Sequence, residues 1–386
     1  MNIHIYPSTF ANETRILKIV RSLRRASVFS NIAVVALWKE GLPRQEVLED
    51  GIEVIRVAPV IGGGFGGKLG RVIRVLGWYL GVLLALKSRR VTCFNCHSLP
   101  VLPLSVVVKW WKGCVLIYDP HELETETAGL RGVRQRVARA VERGLIGFAD
   151  AVCVVNRSIA EWYGARYRLK QVWVVRNVPY SSEHEPVRTG ALRKVVGLSS
   201  EAQIFLYQGL LAPGRGVGLL IDAFARMPDR HLVFMGYGEL EGRIREAAAH
   251  HANIHFMTAV PPGQVKDYTV DADVGISLIE NVCLSYYLCL PNKLFEYAAC
   301  GVPAVVSDFP EMGHFVDENH CGWKVSPDAQ TLCGLVQGLT TAELAAKRAN
   351  TRGFSQLYCW QQEENILLAM YKALGFDAGG VRHVPR

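Results

Sequence analysis

The segment SYYLCLPNKLFEYAACGVPAVVSDFPEM (Ser285–Met312) places two charged residues inside an otherwise apolar helical pattern that runs into a strand. Pro291 suits the start of a helix and Gly301 suits its end, so we expect a helix over PNKLFEYAACG. The AVVSD that follows is an apolar run typical of a strand covered on both faces. A helix that leads into such a strand is the repeating unit of a parallel α/β sheet.

The same alternation extends outward over most of the chain. Strand-like runs separated by helical stretches include NIHIYP, NIAVVALW, IEVIRVAP, VLIYDPHE, AQIFLYQG, HLVFMGYG and ADVGISLI. Strands that alternate with helices favour an α/β fold with doubly wound parallel sheets. With 386 residues the chain is too long for one ordinary core, so two domains are expected.

The alternation pauses at residues 174–190, a segment rich in Pro, Ser and charge, where we place the domain boundary. We expect two similar α/β domains, 1–182 and 183–355, with a cleft between them. The remaining residues 356–386 predict an amphipathic helix that packs back on the first domain, followed by a tail. Ligands of open parallel sheets bind beyond the carboxyl ends of the strands, so the residues that follow each strand are the candidate site residues.

Lys293 and Glu296 are the strongest candidates. Lys293 falls in the first helical turn, where the helix dipole disfavours a cation unless an anion binds there. Glu296 lies one turn later on about the same face. A carboxylate can accept two hydrogen bonds from a vicinal diol such as ribose, while a lysine nearby binds phosphate. The alternative is an ion pair on the protein surface.

Three further positions follow predicted strands. Arg215 lies in a Gly- and Pro-containing loop that opens a helix, where backbone amides and a guanidinium can bind phosphate, although a solvated loop arginine is equally consistent. Gly236 and Gly238 allow a ligand to approach the backbone, but the third glycine comes one residue too late for a dinucleotide fingerprint. His121 ends the segment VLIYDPH, where it could bind a sugar hydroxyl, stabilise charge or be a structural histidine.

The net charge of +8 and pI of about 9.0 suggest an acidic partner. No Asp or Glu occurs between Ile61 and Cys114, and in KLGRVIRVLGWYLGVLLALKSRR bases flank an apolar centre, as in helices at a membrane surface. The alternative is a core helix, and nucleic acid is a weaker interpretation because no recognition module is present. The bases of this stretch are Lys68, Arg71, Arg74, Lys87, Arg89, Arg90, Lys109 and Lys112.

The chain shows no signal-peptide pattern, and the apolar run Val75–Leu86 is too short to span a bilayer easily. Its ten cysteines are therefore expected to be reduced thiols. The CFNCH segment matches a c-type haem attachment pattern, but we interpret it as the end of a buried strand. A zinc site is not expected either, because the sequence has no second CxxC pair. We expect a cytoplasmic protein, peripheral on the inner face of the membrane, without a metal or resident cofactor.

PNKLFEYAACGVPAVVSD resembles the donor-site signature of the GT-B glycosyltransferases of the large retaining family GT4. YQGLLAPGRG, MGYGELE, YDPHEL and ADAVCVVNRSIAEWY occur in the order of that family, and the resemblance covers nearly the whole chain. It implies two Rossmann-like domains whose parallel sheets face a central cleft. The first domain would bind the acceptor and the second the nucleotide-sugar donor.

The resemblance also assigns roles. Glu296 would hold the donor ribose, and Arg215 with Lys293 would meet the diphosphate beside the glycines of the donor loops, while His121 would lie near the transferred sugar. Two leucines depart from the family pattern, Leu288 where an acid is common and Leu210 where an arginine is common. The backbone amides of 309–312 could contact the sugar instead, with Glu280 as a distant candidate. The predicted catalytic residues are His121 and Glu296, and the predicted donor-binding residues are Gly209, Arg215, Gly236, Gly238, Lys293, Glu296, Phe309, Pro310, Glu311 and Met312.

The expected function is transfer of a sugar from a nucleoside-diphosphate sugar to an acceptor hydroxyl, as a hexosyltransferase that retains the anomeric configuration. The expected acceptor is a cell-surface or lipid-linked glycan. The expected partner of the basic stretch is an anionic membrane surface, and no nucleic acid is expected as a partner. Two alternatives stay open: a GT-B-like nucleotide-sugar epimerase, which needs no acceptor, and a non-catalytic partner of a glycan-assembly complex.

Overall fold

A computed structural model describes residues 1–11, 13–61, 67–182 and 187–377, without the side chain of Lys68. The chain divides into two compact units, Met1–Arg176 with Glu363–Arg386, and Asn177–Gln362. The tail expected after the last helix lies outside the described residues beyond 377.

The first unit is built on a mostly parallel sheet of buried, apolar strands. Its strands are β1 (Asn2–Ile5), β2 (Ile32–Leu37), β3 (Gln45–Val47), β4 (Glu53–Val57), β5 (Cys93–Cys96), β6 (Val115–Tyr118), β7 (Ala151–Val154) and β8 (Trp173–Val174). In the described residues the strand order is β3-β4-β2-β1-β5-β6-β7-β8, and β3 is antiparallel to β4. Cys93 and Cys96 are buried in β5, as the strand interpretation of CFNCH predicts.

Helices that connect these strands cover the sheet. They are α1 (Thr14–Arg25), α2 (Gly67–Leu86), α3 (Leu102–Lys112), α4 (Gly132–Leu145) and α5 (Arg157–Tyr167), with short 3₁₀ turns at Leu99–Val101 and Ile146–Phe148. Gly81 brings α2 close to the end of β4, since a Cβ there would lie only 2.7 Å from Val57 Cγ1. One face of α2 is therefore packed on the sheet.

The second unit repeats the α/β plan around a parallel sheet. Its strands are β9 (Ile204–Leu210), β10 (His231–Tyr237), β11 (Ile254–Thr258), β12 (Val274–Ser277), β13 (Ala304–Ser307) and β14 (Gly322–Val325). Its helices are α6 (Ala191–Val196), α7 (Val217–Phe224), α8 (Glu241–His250), α9 (Val265–Thr269), α10 (Leu284–Tyr287), α11 (Asn292–Ala299), α12 (Pro310–Asn319), α13 (Ala329–Gly338), α14 (Thr341–Ala349) and α15 (Phe354–Leu357), with a 3₁₀ turn at Pro262–Gln264.

The final helix, α16 (Trp360–Ala373), packs on the sheet of the first unit. Its Tyr371 hydroxyl donates to Asn95 Oδ1 of β5 at 2.6 Å. Near its start, Glu363 forms an ion pair with Arg176 at 2.7 Å. The contacts are buried and polar, so they fix which face of the helix meets the sheet.

Strand order in the second sheet is β11-β10-β9-β12-β13-β14, so the order reverses between β9 and β12. Ligands of open α/β sheets bind at such a switch point, beyond the carboxyl ends of the strands. The loops after β9, β10 and β12 and the helix α11 lie at this edge. The prediction of two parallel-sheet α/β domains is confirmed.

Candidate functional site

Three glycines allow the ends of β9 and β10, and the residues that follow them, to pack closely in the second unit. Gly209 has φ of 108°, in the region that favours glycine. A Cβ at Gly236 would overlap the carbonyl oxygen of Gly209, and one at Gly238 would overlap the carbonyl oxygen of Leu211. The predicted glycine positions thus have a structural reason, which is close packing of two main chains at the strand ends.

Helix α11 is fixed over the switch point by Tyr297. The buried Tyr297 hydroxyl accepts a hydrogen bond from Gln208 N at 3.1 Å and donates to Leu206 O at 2.9 Å. Gly275 of β12 lies directly against the Tyr297 ring, where no side chain would fit. The helix begins directly after Pro291, as predicted, so its first two turns lie above the ends of β9 and β12.

Two cations at this edge lie over aromatic rings. Lys293 Nζ is 3.5 Å from the centroid of the Tyr207 ring, and the Arg215 guanidinium carbon is 4.3 Å from that of Tyr286. Burial, together with the charge of Arg215, lowers the pKa of Lys293 to about 7, although Glu296 acts in the opposite direction. Arg215 Nε is buried and has no hydrogen-bond partner among the described residues. The pair therefore concentrates positive charge in a position suited to an anion.

A buried side chain orients the Glu296 carboxylate. Gln208 Nε2 donates to Glu296 Oε2 at 2.5 Å, and Gln208 Oε1 lies 2.8 Å from the Thr269 hydroxyl. Gln208 is a polar residue near the end of the apolar run IFLYQG, and this position is the one sequence feature that could have indicated a role at the site. Sequence analysis did not identify Gln208, Tyr207 or Tyr286, because their relation to the site is created by tertiary packing.

Glu280 has a supporting place in this arrangement. Its Oε1 accepts a hydrogen bond from Gly216 N at 3.2 Å, and its own amide donates to Gly214 O at 2.9 Å. A Cβ at Gly214 would lie 2.9 Å from the Tyr286 ring, so this loop also packs closely. Glu280 therefore holds the loop that carries Arg215.

The expected set of amides at 309–312 requires a correction. Phe309 N donates to Ser307 O at 2.7 Å, and Pro310 has no N–H group. Glu311 and Met312 lie in the first turn of α12. Phe309 and Pro310 therefore cannot be the expected backbone donors.

His121 lies in the first unit, whereas the other predicted site residues lie in the second. Its ring stacks on Tyr6 with centroids 5.4 Å apart, and its Nε2 is 3.4 Å from His97 Nδ1. Burial lowers the pKa of His121 to about 3, and Asp119 only partly opposes this effect. The imidazole is therefore neutral near pH 7 and can offer one donor and one acceptor.

Asp119 is the charged centre beside His121. Arg15 binds it through two nitrogens, at 2.6 and 3.2 Å, and His97 Nδ1 lies 3.0 Å from its Oδ2. Burial acts to raise the pKa of Asp119, but Arg15 and the hydrogen bond from His97 hold it well below its usual range. The sequence motif identified His121 alone, and the polar side chains around it were missed.

His97, Asp119 and His121 place three atoms that could ligate a metal, one from each residue, within 4.8 Å of one another. Because Arg15 already occupies both Asp119 oxygens, a second cation there would face a buried guanidinium. The donor set therefore fits an ion pair better than a metal centre, and the absence of a metal requirement stays a prediction.

Comparison with known proteins agrees with both units. The model of the family described as "Glycosyl transferase 4-like domain" matches residues 12–178, and that described as "Glycosyl transferases group 1" matches residues 202–341. The chain belongs to the GT-B glycosyltransferases. D-inositol 3-phosphate glycosyltransferase of Jonesia denitrificans is 26% identical over 209 residues, which cover 47% of this chain and 46% of that protein. The chain spans about half the length of the curated relatives it matches.

Solved structures resemble this chain over nearly its whole length. Sucrose-phosphate synthase from Thermosynechococcus elongatus is 16% identical with a TM-score of 0.80, covering 97% of this chain and 98% of that chain. HepE of Anabaena in complex with UDP-glucose is 14% identical with a TM-score of 0.72, and the match covers 97% of this chain and 99% of that chain. At these identities the likeness shows the fold.

Helix α2 of the first unit has an outward apolar face. Buried residues such as Trp78 and Val82 face the sheet, while a stripe spaced by three or four residues is 41–65% exposed. That stripe, called here the α2 stripe, consists of Leu69, Val72, Leu76, Leu80 and Leu84. By length and composition alone, residues 69–86 could cross a membrane, contrary to the sequence expectation, and 33% of this window is buried in the protein.

The bases around α2 do not all face outward as expected. Arg89 forms an ion pair with Glu53 at 2.5 Å, Lys109 with Asp150 at 2.7 Å, and Lys112 donates to backbone carbonyls. The side chain of Lys68 lies outside the described residues. Exposed bases remain around the α2 stripe and at the end of the helix, namely Arg71, Arg74, Lys87 and Arg90.

Proposed function

We propose that this glycosyltransferase moves a sugar from a nucleoside-diphosphate sugar to an acceptor hydroxyl. The observation that carries the proposal is the grouping of Arg215, Lys293 and Glu296 at the switch point of the second sheet. Two cations with an oriented carboxylate match a diphosphate next to a ribose diol. The similarity to a structure solved with UDP-glucose supports a nucleotide sugar as the donor.

In this proposal, Arg215 binds the diphosphate through its other N–H groups and its Nε, which has no partner among the described residues. Lys293 takes up a proton when the anion binds, because its pKa of about 7 is set by an environment that lacks a counter-charge strong enough to offset burial. Glu296, held by Gln208, accepts from the ribose. The backbone amide of Met312, in the first turn of α12, replaces the acid that is common in the family where this chain has Leu288.

Catalysis then comes from positioning the reactants and from stabilising the departing diphosphate. His121 is the residue proposed to act on the transferred sugar, a hexose, and the anomeric configuration is retained. No metal is required, because the cations of the second unit neutralise the leaving group. These features extend the family resemblance to this chain.

An experiment with defined donors tests the proposal. UDP-, GDP- and ADP-sugars are screened by thermal shift, and the ligand that binds should stabilise by about 2.7 kcal/mol at 100 times its dissociation constant. Arg215→Ala should weaken nucleoside diphosphate binding by roughly 10- to 150-fold and leave nucleoside binding unchanged, since one charge-assisted bond is worth roughly 1.5–3 kcal/mol. Arg226→Ala, at an exposed position of the same unit, is the matched control.

The products distinguish the two alternatives. Transfer to an added acceptor, or slow release of nucleoside diphosphate by hydrolysis, supports the glycosyltransferase activity. An altered sugar nucleotide formed without acceptor would indicate an epimerase. Absence of donor binding across the panel would indicate a non-catalytic partner and would contradict the proposal.

We further propose that the acceptor is a cell-surface or lipid-linked glycan, reached on the cytoplasmic face of an anionic membrane. The α2 stripe and the exposed bases beside it support this placement, since apolar side chains enter the interface while arginines meet anionic headgroups. The buried opposite face of α2 favours a helix that lies along the surface.

Vesicle sedimentation tests the membrane proposal. Binding to vesicles with anionic lipid should exceed binding to neutral vesicles and fall with salt, because each base contributes about 1 kcal/mol near the surface. Leu76→Glu should release the protein, whereas Leu357→Glu, a matched control at 63% exposure in the second unit, should not. Equal binding of wild type and Leu76→Glu would contradict the placement.

A further inference from the structure

A chain of buried polar side chains runs from Asp119 to the C-terminal helix behind His121. His4 Nδ1 lies 2.9 Å from His97 Nε2, and Asn2 Nδ2 lies 3.2 Å from His4 Nε2. Asn95 Nδ2 then donates to Asn2 Oδ1 at 2.5 Å, and the Tyr371 hydroxyl donates to Asn95 Oδ1 at 2.6 Å. We call this series the histidine–asparagine chain. Its members are Asp119, His97, His4, Asn2, Asn95 and Tyr371, all at most 2% exposed.

The strands place these residues together. Asn2 and His4 alternate on one face of β1, and Asn95 pairs with His4 across the parallel ladder of β5. His97 follows two residues later on the same face. Polar residues at alternate positions of two buried strands are costly unless all are hydrogen-bonded, and these side chains supply one another's partners.

The donor and acceptor of every hydrogen bond in the histidine–asparagine chain can be assigned by starting from either of its two ends. At one end, the Ile3 carbonyl can only accept, so the Asn95 group 3.2 Å from it is the amide nitrogen. Asn95 then donates to the oxygen of Asn2, and the nitrogen of Asn2 donates to His4. His4 Nε2 is consequently an acceptor, and its proton lies on Nδ1.

At the other end, the ionised Asp119 accepts from His97 Nδ1, so the proton of His97 also lies on Nδ1. His97 Nε2 is then the acceptor for His4 Nδ1–H, which is the result reached from the asparagine end. The two derivations meet without a conflict between two donors or two acceptors.

We propose that the histidine–asparagine chain sets the tautomer of His121. The Nδ1–H of His97 also faces His121 Nε2 at 3.4 Å, so a proton on that nitrogen would oppose another proton. His121 therefore keeps its proton on Nδ1 and presents Nδ1–H as its donor. His97 is a positioning residue that acts through His121, and only the place of His121 beside the transferred sugar rests on the proposed function.

Nitrogen chemical shifts of histidine rings test the tautomers directly in the full chain. In protein labelled with ¹⁵N-histidine, His4, His97 and His121 should each show a protonated Nδ1 and a bare Nε2. Free neutral histidine in water prefers the opposite tautomer. An internal reference is the pair His231 and His255 of the second unit, which lies outside the histidine–asparagine chain. Their ring nitrogens are 3.1 Å apart. Nε2–H at His121 would overturn the proposal.

Two substitutions at His97 separate positioning from folding. His97→Asn keeps an N–H group near the Nδ1 position and should leave His121 as the Nδ1–H form. His97→Leu removes it, so His121 should switch to Nε2–H and donate to Asp119 Oδ2, now 3.9 Å away. An unchanged His121 tautomer in folded His97→Leu would also overturn the proposal.

Kinetics supply the second measurement. His97→Leu should lower kcat/KM for transfer roughly tenfold, which is the effect expected from the loss of about one net hydrogen bond. Its affinity for nucleoside diphosphate should not change. His97→Asn should retain most of the wild-type kcat/KM. Equal loss in both variants would indicate a structural role only. If no donor is turned over by wild type, the proposed function fails while the tautomer measurement still decides the inference.

Discussion

The polar clusters of the two units differ in how completely their charges are matched. In the first unit, Arg15 and Asp119 form a buried pair with 4% of each side chain exposed, and the histidine–asparagine chain continues from it. In the second unit, Lys293 and Arg215 lie over aromatic rings and Arg215 Nε lacks a partner in the described residues. The first arrangement is complete without a ligand, whereas the second becomes complete when an anion binds.

The largest expected effect comes from breaking the complete arrangement. Arg15→Met leaves the Asp119 carboxylate buried without its cation, so the free energy of unfolding should fall by about 3–5 kcal/mol. Arg157→Met, which removes an ion pair with Glu161 at the surface, should cost less than about 1 kcal/mol. Urea denaturation of the full chain measures both. Similar small losses would mean that the Arg15–Asp119 pair is not the charged centre described.

The second effect concerns the close packing of β9 and β10 at their carboxyl ends. Gly236→Ala places a methyl group against the Gly209 carbonyl, so the two main chains must separate, at a cost of roughly 1–3 kcal/mol in unfolding free energy. Gly242→Ala, in open space on α8, should be neutral or gain up to about 1 kcal/mol. Thermal denaturation compares the stability of the two variants. An unchanged stability of Gly236→Ala would show that β9 and β10 do not need this close contact.

The third effect is a pH dependence that only the incomplete arrangement should show. Below pH 7, Lys293 is already protonated in the free protein, and above it a bound anion must bring a proton with it. Affinity for a nucleoside-diphosphate sugar should therefore fall as pH rises from 7 to 9, by up to about tenfold per pH unit while the bound lysine stays charged. Calorimetric titration measures this slope.

Lys293→Arg sharpens the test, because a guanidinium stays charged over the whole range and should give affinity that does not change with pH. Lys293→Met should also be independent of pH but weaker at pH 7. A slope that persists in Lys293→Arg would assign the pH dependence to another group.

Much of the fold follows from local patterns. The apolar runs located β9, β10, β12 and β13, and the Pro291 and Gly301 signals gave α11 almost to the residue. The short strands β3, β8 and β14 were not predicted, because two to four residues at sheet edges carry little periodic signal. Antiparallel β3 also departs from the alternation on which the prediction relied.

The candidate site was predictable only where a local sequence pattern indicates it. Arg215 follows a strand and Glu296 lies on a helix with clear start and end signals, whereas Gln208 acquires its contact with Glu296 from a helix 88 residues later in the chain. Likewise, Asn2, Asn95 and Tyr371 come from three distant segments, and no local pattern joins them. Tertiary hydrogen bonds of this kind have no signature in a single sequence.

Donor titration of Glu296→Gln is the most direct test of the central claim that the second unit binds a nucleoside-diphosphate sugar. The substitution keeps the shape but turns one ribose acceptor into a donor, so donor affinity should fall about 5- to 150-fold, which corresponds to roughly 1–3 kcal/mol. Glu246→Gln, at an exposed position on α8, should leave affinity unchanged. Unchanged donor affinity in Glu296→Gln, with only a small loss of stability, would contradict the account.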